Sequence, residues 1–185
     1  IALLYVSLSI IGLYEINIAI NYIGLNNVPL TSFIGIIFII VGLLFKVAAA
    51  PFQAWAPDVY QGSPTGYVGY MAAVAKAASF VVLARLITVS LRFILDQFDL
   101  FFSAVVILSV LGGALFATNQ SDLKRLIAYS GVIQSGFILS GISSGVFGVS
   151  ASTFYLITYI IQLVGIFTVF SLSLIHISEP TRRLN

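Results

Sequence analysis

The chain has 185 residues, 60% of them hydrophobic and only 8% charged, with a formal net charge of +2 and a mean hydropathy of +1.12. A soluble domain carries roughly 25% charged residues, so a water-covered globule is excluded and an all-α integral membrane protein is expected. The lack of cysteine excludes disulfides and thiolate metal sites, the single His176 excludes a histidine-rich metal cluster, and the small, scattered charge leaves no footprint for nucleic acid.

About six apolar segments are predicted to span the bilayer. They run from Ile1 to about Tyr22, from Thr31 to Ala50, from Tyr67 to Phe93, from Phe101 to Thr118, from Leu126 to Ser144, and onward from about Ser150. Each is near the roughly 20 residues that cross the hydrocarbon as a helix, and none has the short alternating pattern of a membrane β-barrel. The connections carry turn residues: GLNNVP, PDVYQGSPTG, DQFD, TNQSD and SSG. Ser121 or Asp122 is placed to cap the fifth helix. Gly112, Gly113, Gly131, Gly136 and Gly141 suit close helix packing. The chain contains neither GxGxxG nor GxxxxGK[ST], so no nucleotide site is expected.

Both ends of the chain are unusual. It begins at Ile1, inside an apolar run and without a signal-peptide n-region or cleavage site, and reads as an internal fragment. At the other end SLIHISEPTRR, residues 173–183, leaves the membrane pattern and resembles translated sequencing-adapter read-through. Residues 1–172 are therefore expected to be the native transmembrane fragment and residues 173–185 a non-native tail, with no biological role for His176, Glu179, Arg182 or Arg183. A short native polar tail is the alternative. Lys124 and Arg125 share one side with the Pro57–Gly66 loop, opposite Arg92, Asp96 and Asp99. By the positive-inside rule that side is cytoplasmic.

Two lysines stand inside the oily runs. Counted from Ser32, Lys46 lies roughly 20 Å along its helix at about 1.5 Å per residue. Lys76 in YMAAVAKAASF, counted from Gly66 on the other side, lies about 15 Å deep. In a slab of roughly 30 Å both fall near the middle third. Snorkelling or a static structural pair would also explain them, though Glu15 is the one carboxylate within the spans. Ionisable groups at that depth are functional candidates, and a lysine's proton affinity responds to desolvation and nearby charge. A proton relay through Lys46 and Lys76 is the chemistry such a pair can perform. Pro51 lacks an amide hydrogen and leaves the residue 47 carbonyl without its helical partner, free to bind water. A broken helix at a polar cavity is a transporter device; a plain helix end is the alternative.

Ser79 shares the Lys76 face, Ser130 and Gln134 are four apart, and Tyr159 and Gln162 three apart. Each can hydrate a path or make a helix–helix hydrogen bond. Trp55 suits an interfacial anchor, and Lys124 and Arg125 suit headgroups.

The stretches FKVAAAPFQAWAPDVYQGSPTG, AVAKAASF and SDLKRLIAYSGVIQSGFIL resemble the antiporter-like membrane subunits of respiratory complex I, and PDVYQGSP favours the subunit N branch that includes mitochondrial subunit 2. The resemblance implies a larger antiporter-like bundle of fourteen helices built on inverted five-helix repeats, with helices six to eleven held here. It matches Lys46 to the lysine of broken helix seven, Lys76 to that of helix eight, and Lys124 and Arg125 to the basic pair opening helix ten. The helix-five glutamate would lie upstream, and Glu15 does not replace it; the helix-twelve basic residue would lie downstream. It further implies a proton-translocating subunit of NADH-quinone oxidoreductase, in the inner or plasma membrane or an organellar membrane in a eukaryote. Its partners would be lipid, protons and the other membrane subunits of the complex. NADH, flavin, iron–sulfur clusters and quinone would be handled by other parts, with no cofactor bound here, and the isolated fragment would be inactive. The competing readings are a subunit of a monovalent cation/proton antiporter and a structural scaffold without an ion path.

Overall fold

The computed structural model describes residues 30–90 and 95–178, together with residues 18 and 22. The first predicted span with Glu15 (residues 18 and 22 apart), Arg92 and residues 179–185 lie outside them. The described residues form helices α1 (Leu30–Lys46), α2 (Trp55–Gly62), α3 (Thr65–Val89), α4 (Leu95–Thr118), α5 (Leu123–Ser143) and α6 (Val146–Ser178). Thr65–Val89, Phe98–Thr118, Leu123–Ser143 and Phe147–Ser173 are long and apolar enough to cross a membrane, while α1 is shorter at 17 residues. Their outer faces are apolar. Phe38, Leu108, Leu111, Leu115, Phe154, Ile161 and Val169 all stand exposed, a surface suited to lipid or protein neighbours and not to water.

The second predicted span is broken, as Pro51 requires. α1 stops at Lys46 and helix resumes at Trp55. Ala48 takes the left-handed φ of 55°, which is costly for a residue with a Cβ, and the Ala50–Pro51 peptide is cis. Backbone groups freed by the break find other partners. The amide of Ala49 donates to Leu44 O at 3.0 Å and that of Ala48 to Phe45 O at 3.0 Å. Trp55 Nε1 also donates to Phe45 O, at 2.9 Å, and its ring stacks on Phe45. Trp55 therefore ties the resumed helix back to the last turn of α1.

Several boundaries move from the predicted ones. PDVYQG is helical in α2, because a proline in the first turn removes an amide that has no intrahelical acceptor. The chain leaves α2 at Ser63, held extended (ψ 152°) before Pro64. DQFD, read as a connection, already belongs to α4. Hydropathy marked the apolar window and missed this polar first turn. α6 begins at Val146, earlier than Ser150, directly after Gly145 in the left-handed region (φ 85°) that closes α5.

Asp122 is the N-cap of α5. Its Oδ1 accepts the amides of Lys124 (2.8 Å) and Arg125 (3.2 Å), satisfying two of the orphan donors of the first turn. Asp122→Ala is expected to lower stability by about 1 kcal/mol. Thermal unfolding of the detergent-solubilised full-length protein reads this; an unchanged melting point would show the cap to be redundant.

Two apolar clusters hold the bundle. One joins Ile36, Ile40 and Leu44 of α1 to Phe80 and Leu83 of α3, Phe102 and Val105 of α4, and Ile138 and Leu139 of α5. The other joins Tyr60 of α2, Val68 and Ala73 of α3, Ile127 and Ala128 of α5, and Tyr159 and Leu163 of α6. α4 and α5 approach closely through glycines. A Cβ on Gly113 would lie 2.8 Å from Ile133 Cγ1 and 3.1 Å from the Ile133 amide nitrogen. Gly136 sits as tightly against Val110 and Ser109.

Candidate functional site

Lys76 stands on α3 between Ala73 of one apolar cluster and Phe80 of the other. Directly before it α3 widens into the π-type turn Met71–Ala75, a local irregularity often found at functional positions. Its side chain is 5% exposed, and Nζ donates to the carbonyl oxygen of Gly131 on α5 at 2.5 Å. A Cβ on residue 131 would come within 3.1 Å of both Lys76 Nζ and Tyr159 Oη. The missing side chain of Gly131 thus leaves the space in which an amine from α3 meets a backbone carbonyl of α5, with the phenol of Tyr159 bordering the same space. A charge-assisted bond of this kind contributes about 1.5–3 kcal/mol, and it offsets part of the cost of holding an amine in an apolar bundle.

The same carbonyl is also the acceptor of a serine. Ser135 Oγ, one turn along α5 and fully buried, lies 2.8 Å from Gly131 O and 2.9 Å from Val47 O. Val47 O is the group that Pro51 was expected to leave open to water. In the structure it meets the Ser135 hydroxyl, brought there by α5 from far along the chain. A second buried serine pins the break from α4. Ser109 Oγ accepts the Ala50 amide at 2.9 Å and donates to Val105 O at 2.7 Å. In an unbroken helix the Ala50 amide would point to Lys46 O.

Lys46 is the last residue of α1, and its side chain is exposed. Its amine and that of Lys76 do not share an environment: one lies on the outer face of α1, the other in the bundle interior. What links the two positions is backbone. Val47, next to Lys46, is tied through Ser135 to the carbonyl that holds Lys76. Pro51 is exposed within the break. Ser79 is buried and donates to Ala75 O at 2.8 Å, inside its own helix. Ser130 is half-buried beside Gly131. Gln134 Oε1 accepts the hydroxyl of Tyr155, so it ties α5 to α6. Of the pair Tyr159 and Gln162, Tyr159 is buried against the site and Gln162 is exposed.

Three site residues were not singled out from sequence: Ser135, Ser109 and, as a carbonyl acceptor, Gly131. A signal was present for two of them. Gly131 and Ser135 are four apart, a small-residue pair that favours close backbone approach.

The basic pair makes contacts within the protein. Arg125 pairs with Asp58 at 2.7 Å and meets Gln61 Oε1 and Gln120 Oε1 at 3.0 Å each. Lys124 Nζ donates to Ser63 O at 2.8 Å, and Gln61 Nε2 donates to Asp122 at 3.3 Å. The PDVYQGS and NQSDLKR stretches are thereby latched at one end of the bundle, on the side the charge count had grouped them. The Arg125 and Asp58 side chains are 28% and 72% exposed, so the ion pair orients α2 on α5 more than it stabilises the fold.

The family described as NADH:quinone oxidoreductase/Mrp antiporter, TM matches residues 1–185. NADH-quinone oxidoreductase subunit N 3 of Streptomyces griseus is 47% identical over 140 residues, 75% of this chain and 25% of that protein. NADH-quinone oxidoreductase subunit N of Mycobacterium bovis is 45% identical over 139 residues, 75% of this chain and 26% of that protein. NAD(P)H-quinone oxidoreductase subunit 2 of Crocosphaera subtropica is 40% identical over 136 residues, 73% of this chain and 26% of that protein. Among solved structures, a chain of respiratory complex I from Thermus thermophilus with bound aureothin superposes with a TM-score of 0.72 at 34% identity, over 92% of this chain and 35% of that one. The chain spans about a quarter of the length of these curated relatives.

Proposed function

This chain belongs to the NADH:quinone oxidoreductase/Mrp antiporter transmembrane family, and on that premise we propose that it is part of a proton-translocating membrane subunit of an NADH-quinone oxidoreductase. The relatives named as subunit N and subunit 2 support that branch of the family. The observation that carries the mechanism is Lys76, a buried amine held by one backbone carbonyl, with no acidic partner among the described residues.

An amine held in this way is suited to exchange a proton, because its charge is not locked by a carboxylate. It takes a proton from one side of the bundle and releases it to the other, while Gly131 O fixes where the nitrogen waits. Lys46 is the second relay position. It stands on the open face of α1, where further helices of a protein of the relatives' length would pack. The break beside it keeps backbone carbonyls unpaired within their own helix, the polar lining a proton path needs. Oxidation of NADH and reduction of quinone occur in other subunits and supply the driving force. The partners are those membrane subunits and the bilayer, in a bacterial plasma membrane or its organellar counterpart.

The test uses the intact subunit in its assembled complex, in sealed vesicles. Lys76→Ala should lower protons moved per electron transferred while complex content stays near normal, and Lys46→Ala should act in the same direction. Normal proton-to-electron ratios in both variants would overturn the relay and leave a scaffold.

A further inference from the structure

The position of Ser135 has a consequence for the proton relay that neither lysine supplies. Its single hydroxyl proton faces two acceptors at almost equal distance, Gly131 O at 2.8 Å and Val47 O at 2.9 Å. A hydroxyl can satisfy one of them at a time. Gly131 O lies inside α5, where it already serves its own helix, and it also receives Lys76 Nζ at 2.5 Å. A carbonyl has two lone pairs, so with the amine in place a third donor is surplus. Val47 O, by contrast, has lost its helical donor to Pro51. The hydroxyl proton then belongs on Val47 O.

Resting on the relay reading, we propose that Ser135 is a positioning residue that couples the place of the Lys76 amine to the carbonyl at the helix break. While Lys76 donates to Gly131 O, Ser135 donates to Val47 O and keeps that carbonyl closed. When the amine swings away to pass its proton on, Gly131 O regains a free lone pair and Ser135 rotates back to it, across its own helical turn. Val47 O is then open to a water molecule beside Lys46. No bond other than hydrogen bonds is made or broken, and the hydroxyl keeps its proton throughout. Burial matters here: with Lys76 on Gly131 O, Ser135 and Val47 are both closed to solvent, so in that arrangement the hydroxyl is the donor Val47 O has, and its loss is felt.

The experiment measures protons moved per electron in sealed vesicles holding the assembled complex, with four variants of the intact subunit. Ser135→Ala removes the hydroxyl. Ser135→Cys keeps its volume with a poor donor, so it remains informative if alanine impairs assembly. Ser135→Thr keeps the hydroxyl. Ser152→Ala removes another buried hydroxyl of the α5–α6 contact, one that donates to Ile138 O at 2.9 Å and faces neither lysine. Proton transfer should slow roughly three- to tenfold in the alanine and cysteine variants, the factor that loss of one neutral hydrogen bond gives, and the ratio should fall with it. Threonine should restore it, and Ser152→Ala should leave it unchanged. A normal ratio in the cysteine variant, or a threonine variant as low as alanine, overturns the coupling. Lys76→Ala measured alongside separates the two levels. If it also pumps normally, the relay itself fails; if it is impaired while the Ser135 variants are normal, only the coupling fails.

Discussion

Lys76→Arg is expected to reduce proton movement per electron as far as Lys76→Ala does, although it keeps the positive charge. A guanidinium does not release its proton near neutral pH, so the charge remains but the exchange stops. Space adds to the effect. Lys76 Nζ sits against Gly131 O at 2.5 Å, in room so limited that even a Cβ on residue 131 would touch it and Tyr159 Oη at 3.1 Å. A planar, forked head is larger than the ammonium that fills this place. Loss of a hydrogen bond to a charged group costs about 1.5–3 kcal/mol, which corresponds to roughly a 10- to 100-fold slower transfer. The comparison of Arg with Ala is the decisive one. If arginine pumps like lysine while alanine does not, the group acts as a fixed charge and not as a proton carrier.

Gly136→Leu is expected to have the largest effect on assembly. A Cβ alone at this position would lie 2.7 Å from Val110 Cγ2 and 3.2 Å from both Ser109 Cβ and Val106 O. The last of these is backbone, so α4 must move as a body. Overpacking of this kind costs about 1–3 kcal/mol. It also displaces Ser109, which holds the Ala50 amide, so the strain reaches the helix break. Complex content on native gels and the melting point of the solubilised protein should both drop. Gly165→Leu is the matched control, since a Cβ there meets nothing within 4 Å. Equal content and equal melting for the two variants would show that the α4–α5 contact yields more easily than its geometry indicates.

Much of the architecture was legible because it rests on local rules. Apolar runs of membrane length gave the spans. Pro51 gave the break, because a ring in place of an amide hydrogen acts on the residues around it wherever the chain is placed. Asp122 gave the cap for the same reason: its acceptor and the free amides lie within one turn. Even Lys76 was visible, since a charge in the middle of an apolar run is conspicuous in any fold. Errors fell where hydropathy and helix end are different things, as at Asp96 and Asp99, which close the apolar window yet belong to the helix.

The sequence by itself determined that this is a helical membrane segment, broken beside one lysine and carrying another in an apolar run. Only the tertiary structure decided what those features meet. Val47 O was bound to lack its helical donor, but that Ser135 would fill the gap depends on how closely α5 approaches the break. Lys76 was bound to need an acceptor; that it is Gly131 O depends on a missing side chain on another helix. Lys124 and Arg125 were bound to seek polar partners; that these include Ser63 O and Asp58 depends on how α2 packs on α5. A hydrogen bond requires two groups within about 3 Å, and distances of that order between helices are set by the packing of small residues along whole faces. No local pattern encodes them.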